Sequence, residues 1–165
     1  MALEKLSRRD PLTKLRNRRA FDYKMVEFIG SIRNGLKTCL IMFDIDHFKN
    51  INDEFGHSVG DRVLYELGSL VSSRMRKTDH VYRIGGEEFA IILTNSSSED
   101  AKIVAEDIRI QIGQSKLIKD AMITISLGIA EYRENESKDS WYKRCDEALY
   151  LAKDSGRNTS KHANT

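Results

Sequence analysis

The run Thr38-Cys39-Leu40-Ile41-Met42-Phe43 is apolar on both faces and bounded by charge, and it constrains the fold more than any other stretch. A strand half-exposed to water alternates apolar and polar residues, whereas one without alternation is covered on both sides. The pattern therefore predicts a central strand with helices packed on both faces. Its unbroken apolar part, Cys39 to Phe43, is far shorter than the ~20 residues that cross a membrane. Two acids, Asp44 and Asp46, follow at once.

The other segments arrange themselves around this strand. Phe21, Met25, Phe28, Ile29 and Ile32 recur at helical spacing, which predicts a helix from Asn17 to about Arg33, stopped by Asn34-Gly35. Helices are expected over Phe48–Phe55, ending at Gly56, and from about Ser58 to Met75. Val81–Ile84 and Glu88–Leu93 flank Gly85-Gly86 and read as a hairpin whose two-residue glycine turn supplies positive φ. A helix from Glu99 to Gln114 is expected behind N-cap choices in Ser96–Glu99. Ile123, Ile125, Leu127 and Ile129 alternate with Thr124, Ser126, Gly128 and Ala130, the period of a strand. A last helix from Asp139 to Lys153 ends at Gly156. The order is a mixed α/β sheet in which the hairpin forces an antiparallel pairing. Residues 1–9 read as the end of a helix or linker, 10–160 as one domain and 161–165 as a tail.

Composition narrows the function. The 165 residues carry 27 basic and 25 acidic side chains, a net charge of +2, which argues against a dedicated nucleic-acid binder. The N-terminus has no apolar stretch of the secretory kind. Cys39 and Cys145 stand far apart without CxxC or neighbouring His, and read as buried reduced thiols of a cytoplasmic protein. No GxxxxGK and no GxGxxG after a strand occurs, so P-loop and Rossmann readings fail.

What remains is acid at strand ends. With the hairpin beside the central strand, Asp44 meets Glu87, and Glu88 stands next to it. Two ionised carboxylates that close repel unless a cation lies between them. An oxygen-only set suits Mg²⁺ or Mn²⁺. Two such ions ~3.5–4 Å apart activate a hydroxyl and neutralise a leaving phosphate, the chemistry of nucleotidyl transfer. Gly85 and Gly86 let backbone approach a substrate closely. Lys49, Lys153 and Arg157 offer positive charge for a triphosphate. Any one of these groups alone reads better as solvated surface; the paired acids after a double glycine, facing an acid after a buried strand, reverse that reading.

Gly85-Gly86-Glu87-Glu88-Phe89 resembles, in its GGEEF form, the signature of the GGDEF domain family, the diguanylate cyclases. Asp10-Pro11-Leu12-Thr13 through Asn17-Arg18-Arg19 resembles that family's DxLTxLxNRR opening, and Phe43-Asp44-Ile45-Asp46-His47-Phe48-Lys49-Asn50-Ile51-Asn52-Asp53 its DxDxFKxxND block. Phe55-Gly56-His57 with Gly60-Asp61 matches FGH…GD, and Ala152-Lys153 with Gly156-Arg157-Asn158 matches AKxxGRN. The blocks run in order from residue 10 to residue 158.

The resemblance implies a ferredoxin-like palm of the adenylyl-cyclase kind, acting as a facing homodimer that condenses two GTP into cyclic di-GMP and releases two pyrophosphates. It implies two Mg²⁺ or Mn²⁺ per site held by Asp44, Glu87 and the Ile45 carbonyl. Glu87 deprotonates the 3′-hydroxyl, with Glu88 beside it and Lys49 assisting. Asn52 and Asp61 read guanine; His47, Phe48, Lys49, Lys153 and Arg157 contact phosphate; His57 joins the substrate set. Arg76-Lys77-Thr78-Asp79 stands five residues before Gly85, where the family's RxxD binds product and inhibits. Asp107 stands where a second arginine is usual, with Arg109 two positions on. The family also implies an upstream sensory or dimerisation domain in a parent protein that is cytoplasmic or membrane-tethered. Two other readings compete: a silent module that binds GTP or cyclic di-GMP, and an interaction domain without chemistry.

Overall fold

The computed structural model describes residues 7–31 and 36–163. The expected helical character of residues 1–6 and the stop at Asn34-Gly35 lie outside the described residues.

Ten elements follow in chain order: α1 (Arg18–Ser31), β1 (Cys39–Ile45), α2 (Phe48–Phe55), α3 (His57–Ser73), β2 (Val81–Arg83), β3 (Glu88–Leu93), α4 (Ser98–Gln114), β4 (Ile125–Glu131), α5 (Lys138–Asp154) and β5 (Ser160–His162). The sheet order is β2-β3-β1-β4-β5. The first three pairings are antiparallel, and β5 lies parallel to β4. All seven residues of β1 are buried, as its lack of alternation requires. Among the described residues no helix is long and apolar enough to cross a membrane.

The pleat sorts the core into two layers. Cys39, Ile41, Phe43 and Ile45 join α3 and α4 on one face, where Phe43 stacks on Phe89 at 5.1 Å. Leu40 and Met42 join α1 and α5 on the other, with Trp141 and Cys145. Asp44 shares the face of Leu40 and Met42, since side chains repeat every second residue. Both cysteines are free and buried; burial pushes the Cys39 thiol up to about 12 and the Cys145 thiol up as well.

The alternation in β4 does not mean a wet face. Thr124 apart, its small residues lie under α5, and a Cβ at Gly128 would stand 2.3 Å from the Leu149 amide nitrogen and 2.4 Å from the Cys145 carbonyl oxygen. Gly128 lets the helix backbone touch the strand. Ser97 caps α4 in a capping box with Asp100. The strand β5 was not expected; it carries the sheet past residue 160 to His162.

Candidate active site

The site forms at one end of the central strands. Strand β1 runs on through Asp44 and Ile45, so Asp44 lies within the strand instead of after it. Asp44 sits opposite Glu88 on β3 and opposite Ser126 on β4, and the Ile45 amide donates to the Glu87 carbonyl at 3.4 Å. Asp44 is 4% exposed. Burial pushes its pKa up to about 6, and Glu88 and Glu87 push the same way against the opposing Lys153 ammonium. Lys153, near the end of α5, donates to Asp44 Oδ2. Asp44 Oδ1 is buried with no hydrogen-bond partner among the described residues.

That orphaned oxygen is the observation that bears on a metal. A buried carboxylate oxygen without a hydrogen bond is costly. Among the described residues no three His, Cys, Asp or Glu side chains gather into a closed cage. Asp44 and the Ile45 carbonyl on β1, and Glu87 in the loop that leads into the adjacent β3, are hard oxygen donors. This is the sparse, open set that Mg²⁺ accepts, with water and substrate phosphate completing its shell. The residues fit the ion.

The glycine pair works differently from the expectation. Neither Gly85 nor Gly86 has positive φ; among the described glycines only Gly56 and Gly156 do. The connection is also longer than two residues, because the Ile84 and Gly85 amides both donate to the Glu88 carbonyl, leaving Gly85, Gly86 and Glu87 in the loop. A Cβ at Gly85 would lie 3.0 Å from Glu88 Oε2, so Gly85 makes room for the Glu88 side chain. A Cβ at Gly86 would project into open space, where an approaching ligand needs the room.

Sequence reasoning missed the brace on this loop. Arg83 donates to the Gly86 carbonyl at 2.8 and 3.1 Å and pairs with Asp10 at 3.1 Å. Burial would raise the Asp10 pKa, but hydrogen bonds from Thr13 and the Arg83 pair lower it overall. A lone arginine between apolar hairpin residues was the available signal. Asp46 is likewise structural: it accepts from Thr124 Oγ1 at 2.7 Å, Ser126 Oγ at 2.6 Å and the Asn158 amide at 3.0 Å.

The remaining candidates gather unevenly. His47 caps α2 in a left-handed conformation, φ 56°, and gives no side-chain cap, so the first amides of α2, at Phe48 and Lys49, are free for another acceptor. Lys49, His57, Asp61 and Arg157 are exposed. Asn52 on α2 packs against α3: a Cβ at Gly60 would fall 1.9 Å from Asn52 Oδ1, so Gly60, one residue before Asp61, lets Asn52 come up against the helix.

Arg76 and Asp79 lie apart from this site, on an open cavity of about 390 Å³ also lined by Arg74, Leu93, Asp100 and Val104. They bind each other, Nε to Oδ2 at 2.5 Å, and Arg76 also donates to the Thr94 carbonyl and Ser96 Oγ. Asp107 does not face the cavity as a bare charge; Arg74 grips it at 2.6 and 2.8 Å. Arg109 turns elsewhere, to Glu106 and Asn158.

Residues 7–159 match the family described as "Diguanylate cyclase, GGDEF domain". The chain is 40% identical over 159 residues to diguanylate cyclase DgcM of Escherichia coli, covering 94% of this chain and 38% of that protein. It spans less than half the length of the curated relatives DgcM, diguanylate cyclase A and VdcA. The fold superposes on the crystal structure of the GGDEF domain of DgcB from Caulobacter crescentus in complex with c-di-GMP, with TM-score 0.89, 33% identity, and coverage of 99% of this chain and 100% of that one. It also matches the active GGEEF domain of a diguanylate cyclase from Vibrio cholerae, with TM-score 0.84, 34% identity, and coverage of 90% and 97%. With the whole fold and the ordered motifs in agreement, the chain belongs to the GGDEF domain family.

Proposed function

We propose that this domain is a diguanylate cyclase that joins two GTP molecules into cyclic di-GMP and releases two pyrophosphates. The observation that carries this reading is Asp44: buried, with one oxygen unpartnered, opposite Glu88 and beside Glu87 at the sheet end. A likeness to an active GGEEF domain supports the competence of glutamate at position 87.

In this reading Glu87 accepts the proton of the 3′-hydroxyl, and Glu88 stands beside it. Asp44, Glu87 and the Ile45 carbonyl would hold two Mg²⁺ or Mn²⁺, which would supply charge neutralisation at the phosphates. Lys153 near the end of α5, which pairs with Asp44, would offer its ammonium to a phosphate oxygen. Lys49 and Arg157, with the backbone amides at His47 and Phe48 around the start of α2, hold the triphosphate. The Asn52 amide and Asp61 carboxylate hydrogen-bond the guanine edge, whose N1 and N2 donors adenine lacks. His57 sits at the start of α3 within the same wall. One domain presents one hydroxyl and one α-phosphate, so ring closure needs two domains face to face, positioned by an upstream segment of the parent protein. Cyclic di-GMP returns to the Arg76–Asp79 cavity as an inhibitor.

Incubation with GTP and Mg²⁺ followed by chromatography tests this. For every two GTP consumed, one cyclic di-GMP and two pyrophosphates are expected. Calorimetric GTP binding without any product would establish a silent receptor instead.

A further inference from the structure

The end of α5 holds an unusual backbone. Gly156, Arg157 and Asn158 follow one another with φ of 106°, 66° and 44°. Glycine adopts such values freely and asparagine tolerates them, but arginine there is disfavoured. A conformation of this kind persists only where its surroundings over-determine it.

The upstream anchor is a helix-ending motif. The Arg157 amide donates to the Ala152 carbonyl and the Gly156 amide to the Lys153 carbonyl, the paired bonds of a Schellman turn. This fixes the chain as far as the nitrogen of residue 157. The downstream anchor comes from the opposite side of the sheet. Arg109 on α4 donates to Asn158 Oδ1 at 3.1 Å. Glu106 holds Arg109 through two oxygens, at 2.7 and 3.3 Å, and accepts from Ser160 Oγ at 3.0 Å. Lys102 ties the Ser160 carbonyl to the same helix at 2.7 Å. The Asn158 amide is held from inside by Asp46. Arg157 thus stands between two clamped neighbours while its own side chain is exposed.

We infer that Arg109, aligned by Glu106, is a positioning residue for Arg157: by gripping Asn158 it fixes the place from which Arg157 meets the substrate phosphates. The inference rests on the reading of Arg157 as a phosphate contact. Helix α4 then belongs to the nucleotide site although none of its residues touches nucleotide. The side chain of residue 158 acts through its amide oxygen, and its left-handed backbone through asparagine's tolerance of that region.

The test is calorimetric titration of GTP with Ca²⁺ or Mg²⁺ into wild type, Arg109→Ala, Arg157→Ala and the double variant, with melting curves for each. Asn158→Gly serves as a second variant, since glycine tolerates the left-handed backbone and deletes the side-chain oxygen that Arg109 grips at 3.1 Å, leaving only its longer contact of 3.5 Å to the residue 158 carbonyl. GTP Kd is expected to rise roughly five- to tenfold in Arg109→Ala and in Asn158→Gly, and at least as much in Arg157→Ala, with the double variant no weaker than Arg157→Ala alone. A merely structural role for Arg109 would lower the melting temperature and add its full effect on top of Arg157→Ala, which overturns the inference. An unchanged Kd in both Arg109→Ala and Asn158→Gly, beside a raised Kd in Arg157→Ala, overturns it while leaving the phosphate reading intact. An unchanged Kd in Arg157→Ala defeats the phosphate reading and the inference with it.

Discussion

Asp44 carries an unfavourable burial that only function explains. Its pKa of about 6 stands above the ordinary carboxylate value of 3.8, chiefly through burial. The folded state therefore binds a proton more readily than the unfolded one, and this group's contribution to stability grows as pH falls through about 6 toward the unfolded value. Relative to Asp44→Asn, the wild-type domain without metal should gain melting temperature between pH 7 and pH 5. A constant difference across that range would show that Asp44 is not strained by its site. On the guanine side, Asp61→Ser should relax the preference for GTP over ATP, because a pocket built to hydrogen-bond a base discriminates by up to ~10⁴-fold through groups left unpaired. An unaltered ratio of kcat/KM values would remove Asp61 from the pocket. Individual roles of this kind were legible as residue types but not as partners. Nothing in the sequence announces that Asp46 is consumed by Thr124, Ser126 and Asn158 while its neighbour two positions earlier keeps an oxygen free.

The helices and strands with a strong period were legible, and their short or close-packed joins were not. β1, α2 and α4 stand within a residue or two of the expected bounds because apolar spacing marks them directly. β5 is three residues, Ser-Lys-His, without alternation, and its pairing depends on α5 returning it beside β4. The glycines misled for a related reason: sequence suggests positive φ at Gly85-Gly86, where neither residue has it, whereas at Gly128 the backbone of α5 lying against the strand requires the glycine. The Gly128 contact sets the height of α5, and with it the reach of Lys153 to Asp44. Gly128→Ala should cost at least ~1–3 kcal/mol in chemical denaturation, since the obstructing atoms are backbone and cannot rotate away. Wild-type stability in that variant would mean that α5 shifts freely over β4.

At the scale of the whole molecule, the ordered motifs from residue 10 to residue 158 made the fold and the family readable, while the electrostatics of the second cavity needed three dimensions. Arg76 spends its donors on Asp79, Thr94 and Ser96, and Arg74 spends its own on Asp107. A product dinucleotide must displace these contacts, so its affinity should be micromolar or weaker, ~8 kcal/mol or less of binding free energy. Titration of cyclic di-GMP should show such binding in the wild type and its loss in Arg76→Ala. Equal binding by both would leave the pair as a helix-end salt bridge.

The account as a whole turns on the carboxylates at the end of β1 and in the signature loop. The most direct measurement is cyclic di-GMP formation from GTP and Mg²⁺ by Glu87→Gln, set beside its melting curve. The amide keeps the size of the side chain and loses both its negative charge and its basicity, so turnover should fall by ~10²-fold or more with the melting temperature unchanged. Turnover within tenfold of the wild type, from a variant that melts as the wild type does, would contradict the assignment of Glu87 as base and metal ligand.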